Sequence, residues 1–315
     1  MRVVFLGSPP FAIPVLASLV ASQRHSAVAL VTKPDKPRGR GMEVAASPLV
    51  ELARAHSIPI LQPERARGPE FLAALRALAP DALLVASYGE ILKSDVLDIA
   101  PRGAFNVHAS LLPRHRGASP IQAAILAGDA ETGVAVQRMV LALDEGDVVH
   151  EERTQIGAHE NAGELLARLA DLGAIAALSA LDLVEDGTAK PRPQDPALAT
   201  YAKRIRKEEG AIDWTLDCNT IDRHVRARTP WPGARTTVPG GGEITVLDVR
   251  ALVDRVQAEL PGTILESRAK LVVACGGGAL EILALKPAGK GRMEASAWSR
   301  GARLEPGARL GPASE

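Results

Sequence analysis

The chain has 315 residues, 46% of them apolar, and carries 37 Lys and Arg against 37 Asp and Glu. That length suits two cores rather than one, and a formal charge of zero removes bulk electrostatic attraction as an argument for nucleic acid or membrane, leaving only local patches. The two cysteines, Cys218 and Cys275, form no CxxC pair, which speaks against a disulfide framework or a cysteine zinc site and for a reducing setting. No stretch approaches the ~18 apolar residues of a membrane span, and the apolar run in Met1 to Gly7 is too short for a signal peptide. A soluble, cytoplasmic protein is expected.

Arg2 to Leu6 reads as a buried strand, Gly7-Ser8-Pro9-Pro10 ends it, and a helical pattern runs from Phe11 to Ala21. Strand, glycine turn and helix commonly open an α/β nucleotide-type domain. The second and third glycines of the dinucleotide fingerprint are absent, so the turn serves helix packing or offers backbone to another ligand. Ala27 to Thr32 is a second strand. Lys33 to Gly41 then holds four cations, one anion, two prolines and two glycines, which fits no helix or strand interior. It reads either as a solvated surface loop or as a basic arm for phosphates.

Ser47 is placed to cap a helix to about His56, with Pro48 at its first position. A short strand at Ile58 to Leu61, a helix at Pro69 to Ala79 and an apolar strand at Asp81 to Ser87 follow. Tyr88-Gly89 closes that strand, and a short helix or turn lies near Glu90 to Ile99. Ala104 to His108 is a strand and Ser119 to Ala127 a helix. Thr132 to Leu141 and Val148 to Ile156 are β-rich and suit a hairpin across the acidic turn Leu143-Asp144-Glu145-Gly146-Asp147. Asn161 to Glu185 is a long helix with apolar positions near 3.6 spacing. Strands alternating with helices imply a Rossmann-like, mostly parallel sheet covered on both faces, with ligands beyond its carboxyl edge.

Composition changes at Asp186. The next stretch has three prolines and no periodicity, and reads as an extended linker over 187–206 between a domain at 1–186 and another at 207–315. After a helix at Thr220 to Ala227, the second domain shows short β runs at Ala234–Val238, Glu243–Val249, Gly262–Leu265, Lys270–Cys275 and Leu280–Leu285. Five strands between Pro and Gly turns suit a small OB-like barrel. Its tail is cationic, with Lys286, Lys290, Arg292, Arg300, Arg303 and Arg309.

Asn106 and His108, two apart on a strand, share one face. With Asp144 they supply an amide, an imidazole and a carboxylate, without a G-x-S-x-G elbow or an HExxH, so neither an enzyme nucleophile nor a metal is expected. Such a trio suits direct acyl transfer between two bound substrates. The competing structural readings are a satisfied pair of core polar groups at Asn106 and His108, and a turn former at Asp144.

Asn106-x-His108 with Ser110-Leu111-Leu112-Pro113, Arg116-Gly117 and Leu143-Asp144-x-Gly146-Asp147 resembles the folate-dependent formyltransferases. Val85-x-x-Tyr88-Gly89 and Gly128-Asp129-x-Glu131-Thr132-Gly133-Val134 extend the likeness. Pro34-Asp35-x-Pro37-x-Gly39-Arg40-Gly41, Lys207-Glu208-Glu209-x-x-Ile212-Asp213-Trp214 and Pro230-Trp231-Pro232 carry it over nearly the whole chain, toward the branch that formylates an aminoacyl-tRNA. The resemblance implies 10-formyltetrahydrofolate as donor and the amino group of methionyl initiator tRNA as acceptor. It implies Asn106, His108 and Asp144 as catalytic residues, and Ser110, Leu111, Leu112, Pro113, Tyr88 and Gly89 around the folate. It also implies Lys33, Lys36, Arg38 and Arg40 on tRNA, with a tRNA-binding barrel behind them. No metal, membrane or protein partner is implied. The alternatives are a formyltransferase for an amino-sugar nucleotide or other small amine, and a non-catalytic RNA-binding protein. Ala109, His115, Lys93 and Met42-Glu43 depart from the family pattern, and none is expected to touch the trio through its side chain.

Overall fold

The first strand, β1 (Arg2–Gly7), is buried along its length after Arg2, the pattern of a parallel strand covered on both faces. The computed structural model describes residues 1–35, 46–255 and 258–312. Helix α1 (Ala12–Ala21), β2 (Ser26–Val31), α2 (Pro48–Ala55), β3 (Ile60–Leu61), α3 (Pro69–Ala77), β4 (Ala82–Ala86), α4 (Ser94–Leu97) and β5 (Ala104–His108) continue the expected alternation. Ser47 caps α2 as its type and position predict, accepting from the Val50 N–H at 3.3 Å with Pro48 at the first helical position.

After β6 (Arg116–Gly117) and α5 (Pro120–Ala127), β7 (Glu131–Arg138) and β8 (Val148–Gln155) form the expected hairpin, followed by α6 (Ala162–Glu185) and β9 (Tyr201–Ala202). The sheet order is β3-β2-β1-β4-β5-β7-β8. Its first five strands are parallel, and β7 and β8 are antiparallel additions beside β5. The order reverses between β1 and β4, which directs ligands to the carboxyl ends of these central strands. Strand β7 stops at Arg138, short of the expected Leu141. The Arg138 N–H donates to the Asp147 carbonyl at 2.9 Å and ties off the loop that carries Asp144.

Backbone contacts divide the chain into two compact units. The first holds Met1–Pro120, Glu131–Gln155 and Leu166–Lys203, and the second holds Ile121–Ala130, Ile156–Leu165 and Arg204–Glu315. The proline-rich stretch after α6 is bound along the first unit. Arg192 exchanges both backbone hydrogen bonds with Val148, and β9 runs parallel to β6. Composition does not reveal these bonds, because a backbone amide can find a distant partner whatever its side chain.

In the second unit, α7 (Cys218–Arg228) is capped by Asp217 and precedes β10 (Ala234–Thr237), β11 (Glu243–Leu252), β12 (Ile264–Glu266), β13 (Leu271–Ala274), β14 (Ala279–Pro287) and β15 (Met293–Glu294). Helix α8 (Ala295–Gly301) and β16 (Gly311–Pro312) follow. The antiparallel sheet runs β12-β13-β14-β11-β10-β16, with β15 on β14. It curls so that residues 307–312 bridge its edges. Ile264 N–H donates to the Ala308 carbonyl at 2.8 Å and Leu310 N–H to the Gly262 carbonyl at 2.9 Å, while Gly311 pairs with Thr237. The edges are thereby covered, as an OB-like barrel requires. Trp214, Ile221, Val246, Leu271 and Leu280 fill the interior. Among the described residues no helix is long and apolar enough to cross a membrane.

His224 on α7 is held below the ordinary imidazole range, first by burial and then by the charge of Arg228, against opposing contributions from the Gly210 carbonyl and Glu209. Its folded pKa is depressed, so unfolding takes up a proton as pH falls. The associated stability is complete above about pH 6.5 and is lost on acidification below it. His224→Gln should flatten that part of the pH dependence of the thermal midpoint, measured from about pH 7.5 to 5 beside the parent.

Candidate active site

Strand β5 pairs in parallel with β4 and antiparallel with β7, which sets Asn106 directly opposite Gln137 and His108 opposite Ala135. Directly opposed residues share a face, so Asn106, His108 and Gln137 project together. The loop after β7 returns Asp144 to that face. Gly146 allows the return, because a β-carbon there would collide with the Arg138 carbonyl.

The Asp144 carboxylate, whose side chain is 9% exposed, is held from three directions. Gln137 Nε2 donates to Oδ1 at 2.8 Å, Asn106 Nδ2 donates to Oδ1 at 3.3 Å, and the Gly117 N–H donates to Oδ2 at 2.8 Å. Asp144 itself has φ +54, a left-handed conformation that Asp tolerates better than most residues.

His108 is buried. Its Nε2 lies 3.0 Å from the His115 carbonyl oxygen. A carbonyl only accepts, so Nε2 carries the hydrogen, and a neutral ring then has its lone pair on Nδ1. That Nδ1 lies 3.7 Å from Asp144 Oδ2, beyond a hydrogen bond. The His115 carbonyl therefore fixes the ring, and Nδ1 faces a carboxylate that would pair with an imidazolium.

The turn at Ser110 to Pro113 is built from the inside. Ser110 is fully buried and its Oγ donates to the Arg114 carbonyl at 2.6 Å, while the Arg114 N–H donates to the Leu111 carbonyl at 3.1 Å. Leu112 packs with Ala135 and Val148. The Leu111 side chain lies over Gly133, where a β-carbon would sit 2.6 Å from its Cδ2. With the Leu112 side chain committed to the core, the backbone and Leu111 are what this turn has left for a ligand.

The Tyr88 ring is also in the core. Burial, and then the charge of Glu90, pushes its hydroxyl up to about 12, so it stays neutral. Gly89 follows at φ +73, and its carbonyl accepts from Lys33 Nζ at 3.3 Å. Strand β4 ends beside Val107, so Tyr88 and Gly89 leave the sheet next to the strand end that carries His108. Lys33 is exposed, and Lys36, Arg38 and Arg40 lie outside the described residues.

Sequence reasoning missed Gln137, Gln194 and the Gly117 N–H. Gln137 gave a signal: a polar residue following the apolar run Val134–Val136, 2% exposed in the fold. Gln194 gave none. It comes from the proline-rich stretch, and its Nε2 donates to the carbonyls of Asp144 at 2.8 Å and Gly146 at 2.7 Å. Among the described residues one group, His25 with Asp182 and Glu185, brings together three side chains of metal-ligand type. The Arg24 guanidinium already pairs with both acids, at 2.9 and 3.1 Å, and no metal is assigned to it.

Gly117 has φ +107, and a β-carbon there would stand 2.6 Å from the Ala202 carbonyl oxygen. Gly68 has φ +94 with nothing within 4 Å. Both Ala variants carry backbone strain of about 1–3 kcal/mol. Only Gly117→Ala should add a collision and a displaced Asp144. Denaturant unfolding should show the larger loss for Gly117→Ala than for Gly68→Ala.

Residues 1–181 match the family model described as formyl transferase, and residues 204–303 match that of the formyl transferase C-terminal domain. The methionyl-tRNA formyltransferase of Roseiflexus sp. (strain RS-1) is 42% identical over 314 residues, covering 100% of this chain and 96% of that one. That of Solibacter usitatus (strain Ellin6076) is 44% identical over 311 residues, covering 99% of each. Among solved structures, the sugar 3N-formyl transferase WlaRD aligns with a TM-score of 0.66 at 15% identity, covering 92% of this chain and 98% of that one. HypX from Aquifex aeolicus, in complex with tetrahydrofolic acid, aligns at 0.64 and 18% identity over 97% of this chain and 48% of its own. At such identities the two structures show a shared fold.

Proposed function

We propose a mechanism for this site from one premise: the chain belongs to the formyl transferase family, among its methionyl-tRNA formyltransferases. The activity is formylation of methionyl-tRNA, the modification that prepares the initiating methionine for translation. The donor is 10-formyltetrahydrofolate, the acceptor is the α-amino group of methionyl initiator tRNA, and the setting is the cytoplasm. The observation that supports Asn106, His108 and Asp144 as the reacting constellation is their convergence on one sheet edge, with Asp144 held by three N–H donors.

An α-amino group ordinarily titrates at about 7.7–8.0, so a useful fraction is neutral without activation. Its nitrogen attacks the formyl carbon, and the carbonyl oxygen becomes an oxyanion. One Asn106 Nδ2 hydrogen is directed at Asp144 and the second remains to meet that oxygen. The amine's proton passes to His108 Nδ1, and Asp144 stabilises the resulting imidazolium across the 3.7 Å gap. The bond from carbon to folate N10 breaks, the proton returns to N10, and tetrahydrofolate leaves. Positioning and oxyanion stabilisation carry most of the rate.

The folate pocket of this reading is formed by Ser110 to Pro113 with the backbone of Tyr88 and Gly89. The RNA is met by Lys33, Lys36, Arg38 and Arg40, and by the second unit, where Lys286, Lys290, Arg292, Arg300, Arg303 and Arg309 are all exposed. A small amino-sugar acceptor is the rival reading, favoured by the fold shared with a sugar 3N-formyl transferase. Formylation assays with charged initiator tRNA, elongator methionyl-tRNA and a nucleotide-linked amino sugar decide between them. Initiator tRNA should be the preferred acceptor by orders of magnitude, and efficient turnover of the sugar would reverse the assignment. Asn106→Ala should lose about 10²–10³ in kcat, as removal of one oxyanion donor does elsewhere, with KM for tRNA little changed.

A further inference from the structure

Gln194 has a side-chain orientation that its neighbours leave no freedom to invert. One end of its amide faces Arg116 Nε at 3.0 Å and Nη2 at 2.9 Å. A guanidinium has no acceptor, so that end is Oε1. Nε2 therefore faces three oxygens: the Gly146 carbonyl at 2.7 Å, the Asp144 carbonyl at 2.8 Å and Gln137 Oε1 at 3.3 Å. Gln137 Nε2 in turn donates to Asp144 Oδ1 at 2.8 Å. The donors run one way, from Arg116 through Gln194 and Gln137 to the carboxylate. Two further direct bonds pin the backbone of the loop on either side of Glu145, where Asp144 sits at φ +54.

We infer that Gln194 is a positioning residue for Asp144: it holds the loop in its left-handed conformation and orients Gln137 toward the carboxylate. The proline-rich stretch that carries it is thus part of the reaction's machinery. This rests on the role given to Asp144 above. Chemistry separates the inference from a simpler role in which Gln194 only anchors its own segment to Arg116. Gln194→Glu keeps the length and gives Arg116 a carboxylate, which preserves or improves that anchor. It also points an acceptor at the Asp144 and Gly146 carbonyls, where two donors are required. Gln194→Met keeps the volume and removes both functions.

The test is steady-state formylation of initiator methionyl-tRNA by Gln194→Glu, Gln194→Met, Asp144→Asn and the double variant Asp144→Asn/Gln194→Glu, with thermal unfolding of each. Both Gln194 variants should lose about tenfold in kcat with KM for tRNA within about twofold. The double variant should lose no more than Asp144→Asn alone, because residues acting as a unit are not additive. Parental kcat in Gln194→Glu, or a multiplicative loss in the double variant, overturns the inference while leaving the role of Asp144 standing. Parental kcat in Asp144→Asn overturns both.

Discussion

The site depends on how one carboxylate is held. Asp144 comes from a loop, and a loop carboxylate on its own has no fixed direction. Here its two oxygens receive N–H groups from a strand partner, from the neighbouring strand and from the backbone of a tight two-residue strand. Asn106 stands beside Gln137 at the carboxylate because β7 is in register with β5, and the Gly117 N–H is available where a glycine lets β6 lie against β9. Hydrogen bonds to a charged acceptor are the stronger kind, so the three donors fix the direction in which the carboxylate faces His108.

This arrangement explains why a mostly parallel sheet ends in an antiparallel hairpin. The five parallel strands bring the ends of β1, β4 and β5 to one edge, which suffices to bind a ligand. A parallel neighbour beyond β5 would need a long crossover. An antiparallel β7 instead continues directly into the loop that returns Asp144 beside Asn106 and His108. Two amides and an imidazole then share a face, with the carboxylate closing the group.

Much of this was legible in the sequence, for a physical reason. Asn106 and His108 are two apart on a strand, so their common face follows from geometry alone. The cap at Ser47, the hairpin around the acidic turn and the strand runs of the second unit follow from local rules of the same kind. What was not legible comes from long-range contacts. Gln194 sits among prolines, and the composition that reads as a spacer says nothing of which carbonyls its amide meets. Leu112 looks like a pocket residue in a motif, yet its side chain fills a small core with Ala135 and Val148. Tyr88 is likewise a motif residue whose ring is spent on packing. The edge closure of the second sheet depends on backbone bonds from residues 307–312, where no strand was expected.

The central claim is that Asn106, His108 and Asp144 surround the carbon that is transferred. The most direct measurement is a crystal structure of the protein with an unreactive formylfolate bound. The formyl oxygen should lie about 3 Å from Asn106 Nδ2, with the formyl carbon facing His108 Nδ1 and Asp144 still held by Gly117 and Gln137. A well-ordered formyl group outside hydrogen-bond reach of all three side chains would contradict it.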